Sequence, residues 1–298
     1  ALVALAVHPD GQTFVTGSGG GELRTWRLEG LSSNPPVRAH DNWLFASAYS
    51  PDGELLASGG GDNLLKLWST QALAQRRTID SATGDIHALA FSPDGRWLYS
   101  AGDDMKLRMH AVDTLDDSQI IGATGRQITS IAVHPLDGRV VTGSRDGLVC
   151  LWDPAERKLL KALAEHSSDV MSVAFDPAGK RLASASYDAT VRLRDGRTGL
   201  TLRTLTGHRG RVFTVAFSPT GDTLASGAAD GVLLWDAESG ELLAENLDEP
   251  NVSRVAFTPD GASLLAIDAQ GAVRVLDGHY LSLVAKADTA RAAIPSRL

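Results

Sequence analysis

The sequence predicts an all-β protein in which seven four-stranded antiparallel sheets stack radially into a ring. Three observations predict it. Turn prolines recur at Pro9, Pro51, Pro93, Pro135, Pro177, Pro219 and Pro259, a spacing of about 42 residues that shortens slightly only at the last step. Each interval repeats one order of short period-two apolar runs bounded by Gly, Pro, Asp and Asn, the pattern of antiparallel strands and their turns. No stretch sustains a helical period, and 30 glycines suit many tight turns better than long helices.

Each copy reads in the same order. A first strand alternates apolar residues, as in VMSVAF at 170–175, and meets a turn such as SPDG at 92–95. A second strand of small residues follows, as in LASG at 224–227. A second turn carries an Asp. A third strand ends near a Trp, as in LVCLW at 148–152. A fourth, looser run closes the unit, as at 202–205. The best local helix candidate, 156–165, occupies that fourth place in the repeat and is expected as a strand. Four strands cannot bury both faces of a sheet alone, whereas radial stacking covers each face with a neighbour and closure leaves few free edges. The fold class is therefore a seven-bladed β-propeller of four-stranded antiparallel blades. The blades fall at 1–39, 40–81, 82–123, 124–165, 166–207, 208–247 and 248–288, with a loose tail at 289–298 and a final outer strand at 281–287.

Composition narrows the function classes. The 298 residues carry a formal net charge of -8, which repels phosphate backbones and argues against a nucleic-acid partner. The single cysteine, Cys150, excludes an intramolecular disulfide and a cysteine-based metal site; it fits a reducing, cytoplasmic setting and, mid-strand, reads as a buried apolar residue. No run of about 18 apolar residues exists to cross a membrane. The chain opens without Met inside a strand-like run, so we expect a module of a longer protein, and arginine in excess of lysine points to a GC-rich, bacterial coding sequence.

The recurring residues resemble those of the WD-repeat β-propeller family over about residues 1–288. In that family a His before the first strand, a Ser or Thr on the second, an Asp in the next turn and a Trp on the third form a hydrogen-bonded set. The resemblance assigns this structural set to His40, Ser58, Asp62 and Trp68, and to His208, Ser226, Asp230 and Trp235, the latter with one residue fewer between Asp and Trp. His166, Ser184 and Asp188 match with Arg194 in the Trp place. Thr142, Asp146 and Trp152 match with Thr124 in the His place. Blade three keeps Ser100 and Asp104, with Ala82 and His110 elsewhere in the set. Blade one keeps Thr16 and Trp26, with Gly20 for Asp. Blade seven, with Asp248, Ala266, Gln270 and Leu276, keeps none. These departures question the rigidity of blades three and seven.

Residues that look catalytic are thereby absorbed by the frame. The run Gly17–Gly21 lacks the Lys-Ser/Thr and the helix of a phosphate loop and reads as a glycine-rich turn. No two histidines stand at metal-ligand spacing, His8 and His134 precede turn prolines, and no Gly-x-Ser-x-Gly elbow exists. Asp113, Asp116 and Asp117 read as a solvated acidic turn. No metal, cofactor or catalytic site is expected.

Positions that break the repeat carry the functional signal. Two residues into the first strands stand Val3, Phe45, His87, Thr129, Met171, Phe213 and Ser253. Two residues earlier stand Ala1, Trp43, Asp85, Gln127, Asp169, Arg211 and Asn251, which strand alternation places on the same side. Gly61, Asp103, Arg145, Tyr187 and Ala229 precede the turn Asp. In WD-repeat proteins such positions ring one mouth of the central channel. Trp43, Phe45, His87, Arg145, Met171, Tyr187, Arg211 and Phe213 are the partner-binding candidates, because aromatics and Arg are enriched at binding hot spots. The plainer alternative is that Phe45 and Phe213 only fill the channel wall. The resemblance implies a non-catalytic scaffold or sensor that binds a protein or peptide, including another domain of the same chain. The alternatives are a hydrolytic or metal-dependent enzyme using Asp85, His87 and Asp169 from separated blades, and a phospho-ligand or polyanion binder using Arg126, Arg145, Arg209 and Arg211.

Overall fold

The blades follow one another without exchange of strands. In the computed structural model, which describes residues 1–80, 82–114, 118–248 and 250–289, each sheet is built from one contiguous stretch of chain. Blade two is representative: Leu44–Tyr49 lies innermost, then Leu55–Gly60, Leu64–Ser69 and, outermost, Ala74–Asp80, all antiparallel. Leu283–Asp288 pairs with Ala272–Asp277 as the outer strand of blade seven. The helix candidate at 156–165 contains the outer strand Lys158–Leu163. No α-helix occurs among the described residues. Two of the acidic turn residues, Asp116 and Asp117, lie outside them, as does 290–298.

Blade one departs from the rule. Its outer strand is split into Ser32–Ser33 and Val37–Arg38, both paired with Glu22–Arg27, after a single 3-10 turn at Glu29–Leu31. The break leaves a polar groove of about 580 Å³ on the rim between blades one and two.

The core lies between blades. Ala46, Ala57, Leu65 and Leu67 of blade two pack on Ile86, Leu89, Phe91 and Leu98 of blade three. The same contact closes the ring: Leu2, Phe14 and Trp26 pack on Leu265, Ile267, Val273 and Val275. There the Ser253 hydroxyl also donates to the Leu2 carbonyl at 2.9 Å. His8 and His134 bridge blades from below. Each ring nitrogen Nε2 bonds the carbonyl of a turn glycine in the next blade, Gly53 or Gly179, at 3.0 Å. A Cβ on either glycine would strike the imidazole, and both have positive φ, so glycine is required twice over.

Polar sets tie each blade internally. In blade two the Trp68 indole donates to Ser58 Oγ at 2.9 Å, Ser58 Oγ meets His40 Nε2 at 2.8 Å, and His40 Nδ1 meets Asp62 at 2.8 Å. Blade six repeats this with Trp235, Ser226, His208 and Asp230. Burial holds His40 and His208 below the ordinary imidazole range. Burial opposes ionisation of Asp62, yet the His40 bond and the Asp41 and Leu64 amides outweigh it and lower its pKa.

Substitutes complete several imperfect sets. In blade five the fully buried Arg194 guanidinium donates to Ser184 Oγ where the indole would, and Glu165 faces it at 3.5 Å. In blade four Trp152 bonds Thr142, but Thr124 turns to the Arg126 carbonyl and Asp146 is held by Ser144 and the Leu148 amide, so that chain is broken in two. Blades three and seven, whose rigidity the sequence put in question, have internal ties made by other residues. In blade three His110 sits in the Trp register and bonds Ser100 at 2.8 Å, while Arg108 pairs with Asp104. In blade seven the buried pair Asp268–Arg274, at 2.6 Å, replaces the missing set from a position the repeat does not mark.

Candidate functional site at the channel mouth

A local irregularity, repeated in every blade, builds the mouth. The register of each inner strand slips by one residue at its second position, for example between Leu44 and Ala46, so that Phe45 has no partner on the second strand. The same bulge falls on Val3, His87, Thr129, Met171, Phe213 and Ser253. A bulge bends the strand and re-aims the extra side chain. All seven bulged residues border one cavity of about 490 Å³ at the top of the channel.

Bulging also breaks the alternation on which the sequence expectation rested. Of the residues two positions earlier only Asn251 borders the cavity; Ala1, Trp43, Asp85, Gln127, Asp169 and Arg211 do not. Trp43 stands on the rim, 40% exposed, its ring stacked on Phe45 with centroids 5.6 Å apart. Phe45 in turn meets the His87 imidazole at 4.6 Å. Across the opening Tyr187 packs edge-on against Phe213, and the Arg211 guanidinium lies 4.9 Å from the Tyr187 ring centroid, a cation–π contact. Of the remaining turn-preceding candidates, Arg145 and Tyr187 border the cavity, whereas Gly61, Asp103 and Ala229 do not.

Sequence reasoning missed Arg254. It follows the bulge of blade seven and borders both the mouth cavity and a smaller space of about 110 Å³ further down the channel. The equivalent residues of the other blades are Ala4, Ala46, Ala88, Ser130, Ser172 and Thr214, all small, three of them capping an amide of the next blade. One large cation in a ring of small residues was a readable signal.

The mouth is electrically uneven. Asp85, His87 and Asp103 of blade three converge, with ligand atoms within 4.8 Å of one another and His87 Nε2 bonded to Asp103 at 2.7 Å. Burial, reinforced by the neighbouring Asp103 carboxylate, raises the Asp85 pKa. These three side chains are the group at the mouth that could hold a cation. Asp169, which the sequence grouped with Asp85 and His87, belongs to blade five and is not among them. Arg145, Arg211 and Arg254 belong to blades four, six and seven. Arg126 and Arg209 are exposed in the loops entering blades four and six.

Six stretches of the chain, 1–27, 34–69, 74–110, 117–153, 157–195 and 199–236, match the family model described as WD domain, G-beta repeat. The chain belongs to the WD40 repeat family. Blade seven, outside the matched stretches, is the one that keeps none of the His, Ser, Asp and Trp set. A search of curated proteins finds no match. WD40 propellers are typically protein-interaction scaffolds and are generally non-catalytic.

Proposed function

We propose that this WD40 propeller is a non-catalytic interaction module that takes an extended segment of a protein partner across its channel mouth. One observation carries the reading. The bulge aims one side chain per blade into the cavity, and those positions vary in type while the frame around them repeats. Phe45, Met171, Phe213 and Tyr187 give the opening apolar area, with Trp43 exposed at its edge, and such aromatics are enriched at hot spots. The rim groove is larger but polar, and its lining includes frame residues such as His8 and Trp26.

The test is a quantitative pull-down from native lysate, comparing wild type with a Trp43→Ala/Phe213→Ala double variant of unchanged melting temperature. A partner captured by wild type and lost by the variant supports the reading. A partner captured equally by both moves the site to the rim or the opposite face. A second reading, a metal-dependent activity, has the Asp85–His87–Asp103 cluster in its favour; titration of metal-free protein with Ca²⁺ or Zn²⁺ would favour it by showing stoichiometric heat.

A further inference from the structure

Among the described residues Arg254 is a charged group that faces no counter-charge. It is half-buried and borders both the mouth cavity and the smaller space below it. Its Nη1 donates to the Ser253 carbonyl at 2.8 Å, a neutral acceptor on its own strand, and among the described residues it forms no ion pair. Burial lowers its pKa. Compare Arg194, Arg108 and Arg274, which are buried and each faces a carboxylate. A half-buried arginine whose fork is not filled from within is suited to a planar, bidentate acceptor from outside.

We propose that the channel mouth selects a peptide segment bearing an aspartate or glutamate, whose carboxylate enters the cavity and is received by Arg254. The proposal rests on the mouth reading above and adds the chemistry of the anchor. Three features converge on it. The cavity above Arg254, about 490 Å³, accommodates an acidic side chain together with adjoining backbone. Arg145 borders the same cavity and Arg211 lies on the Tyr187 ring beside it, neither with an ion pair among the described residues, so the approach to Arg254 is cationic although the whole protein is acidic. Asp85 and Asp103 sit on blade three, across the ring from blades six and seven, and repel an acid placed on the wrong side; this fixes the direction in which a segment lies. Charge complementarity of this kind sets register and excludes wrong partners.

The test begins with selection from a random displayed peptide library on wild-type protein, followed by binding of the enriched peptides, as synthetic fluorescent probes, to three variants. Arg254→Ser installs the residue that blades four and five carry at this position, so the fold should tolerate it. Arg254→Lys keeps the charge without the fork. Trp43→Ala/Phe213→Ala reports on the mouth itself. The expected result is enrichment of Asp or Glu at one fixed position, at least about 30-fold weaker binding to Arg254→Ser, and an intermediate loss with Arg254→Lys. Replacing the selected acid by its amide should weaken binding to wild type but not to Arg254→Ser. Peptides that depend on Trp43 and Phe213 but carry no fixed acid and bind Arg254→Ser equally would overturn the carboxylate anchor and leave the mouth reading standing. Peptides indifferent to Trp43 and Phe213, or no enrichment at all, would count against both.

Discussion

Acid should loosen blade three through one histidine. His110 occupies the register position of Trp68 in blade two, is fully buried, and bonds Ser100 through Nε2. Its Nδ1 is buried without a partner, and Arg108 lies nearby, so a second proton there would have no acceptor to meet. Burial first, and Arg108 second, lower its pKa from 6.5 to about 4. The folded state therefore disfavours the proton that the unfolded chain accepts. The stabilising contribution is complete above pH 6.5 and fades as pH falls from 6.5 to about 4. At 1.36 kcal/mol per pH unit that amounts to about 3 kcal/mol. His110→Gln keeps a donor for Ser100 and cannot titrate; His110→Trp restores the residue that blades one, two, four and six use. Urea unfolding followed by far-UV circular dichroism between pH 7 and pH 4 gives the stability of each protein. Contributions from distant carboxylates and from His40, His166 and His208 cancel in the difference between wild type and variant. That difference should shift against wild type by about 3 kcal/mol across the window. Parallel stability curves for wild type and both variants would refute the assignment.

Two further perturbations test the internal ties. Asp62→Ala removes the acceptor of the His40 Nδ1 proton and of two backbone amides and should cost about 1–3 kcal/mol, read from chemical denaturation; a melting curve identical to wild type would remove the structural role. In blade five Glu165→Gln deprives the buried Arg194 of its counter-charge and should cost about 1–3 kcal/mol, reduced from the fully buried case because Glu165 is partly exposed, whereas Arg194→Trp should be neutral or stabilising; the reverse order would show that Arg194 is not a stand-in for the indole.

The frame was legible because its chemistry is directional. A chain running from indole to hydroxyl to imidazole to carboxylate needs those residue types at fixed registers, and blades two and six spell them out. The period also located blade seven, whose turn survives at Pro259 although its polar set does not. What the sequence concealed follows from two physical facts. A polar tie can be rebuilt from other atoms: His110 and Arg108 divide the work in blade three, and Asp268–Arg274 forms two residues before the expected turn position. The second fact is the bulge. Alternation put Trp43 and Phe45 side by side in the mouth, but the extra residue turns Phe45 into the cavity and leaves Trp43 on the rim. The same slip carries Arg254 into the channel, where simple alternation with Ser253 would have turned it away.

Closure of the ring has a consequence for how the chain could be written. Every blade is one uninterrupted segment, and the first and last blades meet through side-chain packing and the Ser253–Leu2 bond, with no shared strand. Ala1 and Thr289 border one crevice. A short linker joining them, with a new opening cut between any two blades, would give a permuted polypeptide with the same inter-blade contacts. The order of the blades in the gene is then a convention of where reading starts; the circle itself has no first blade.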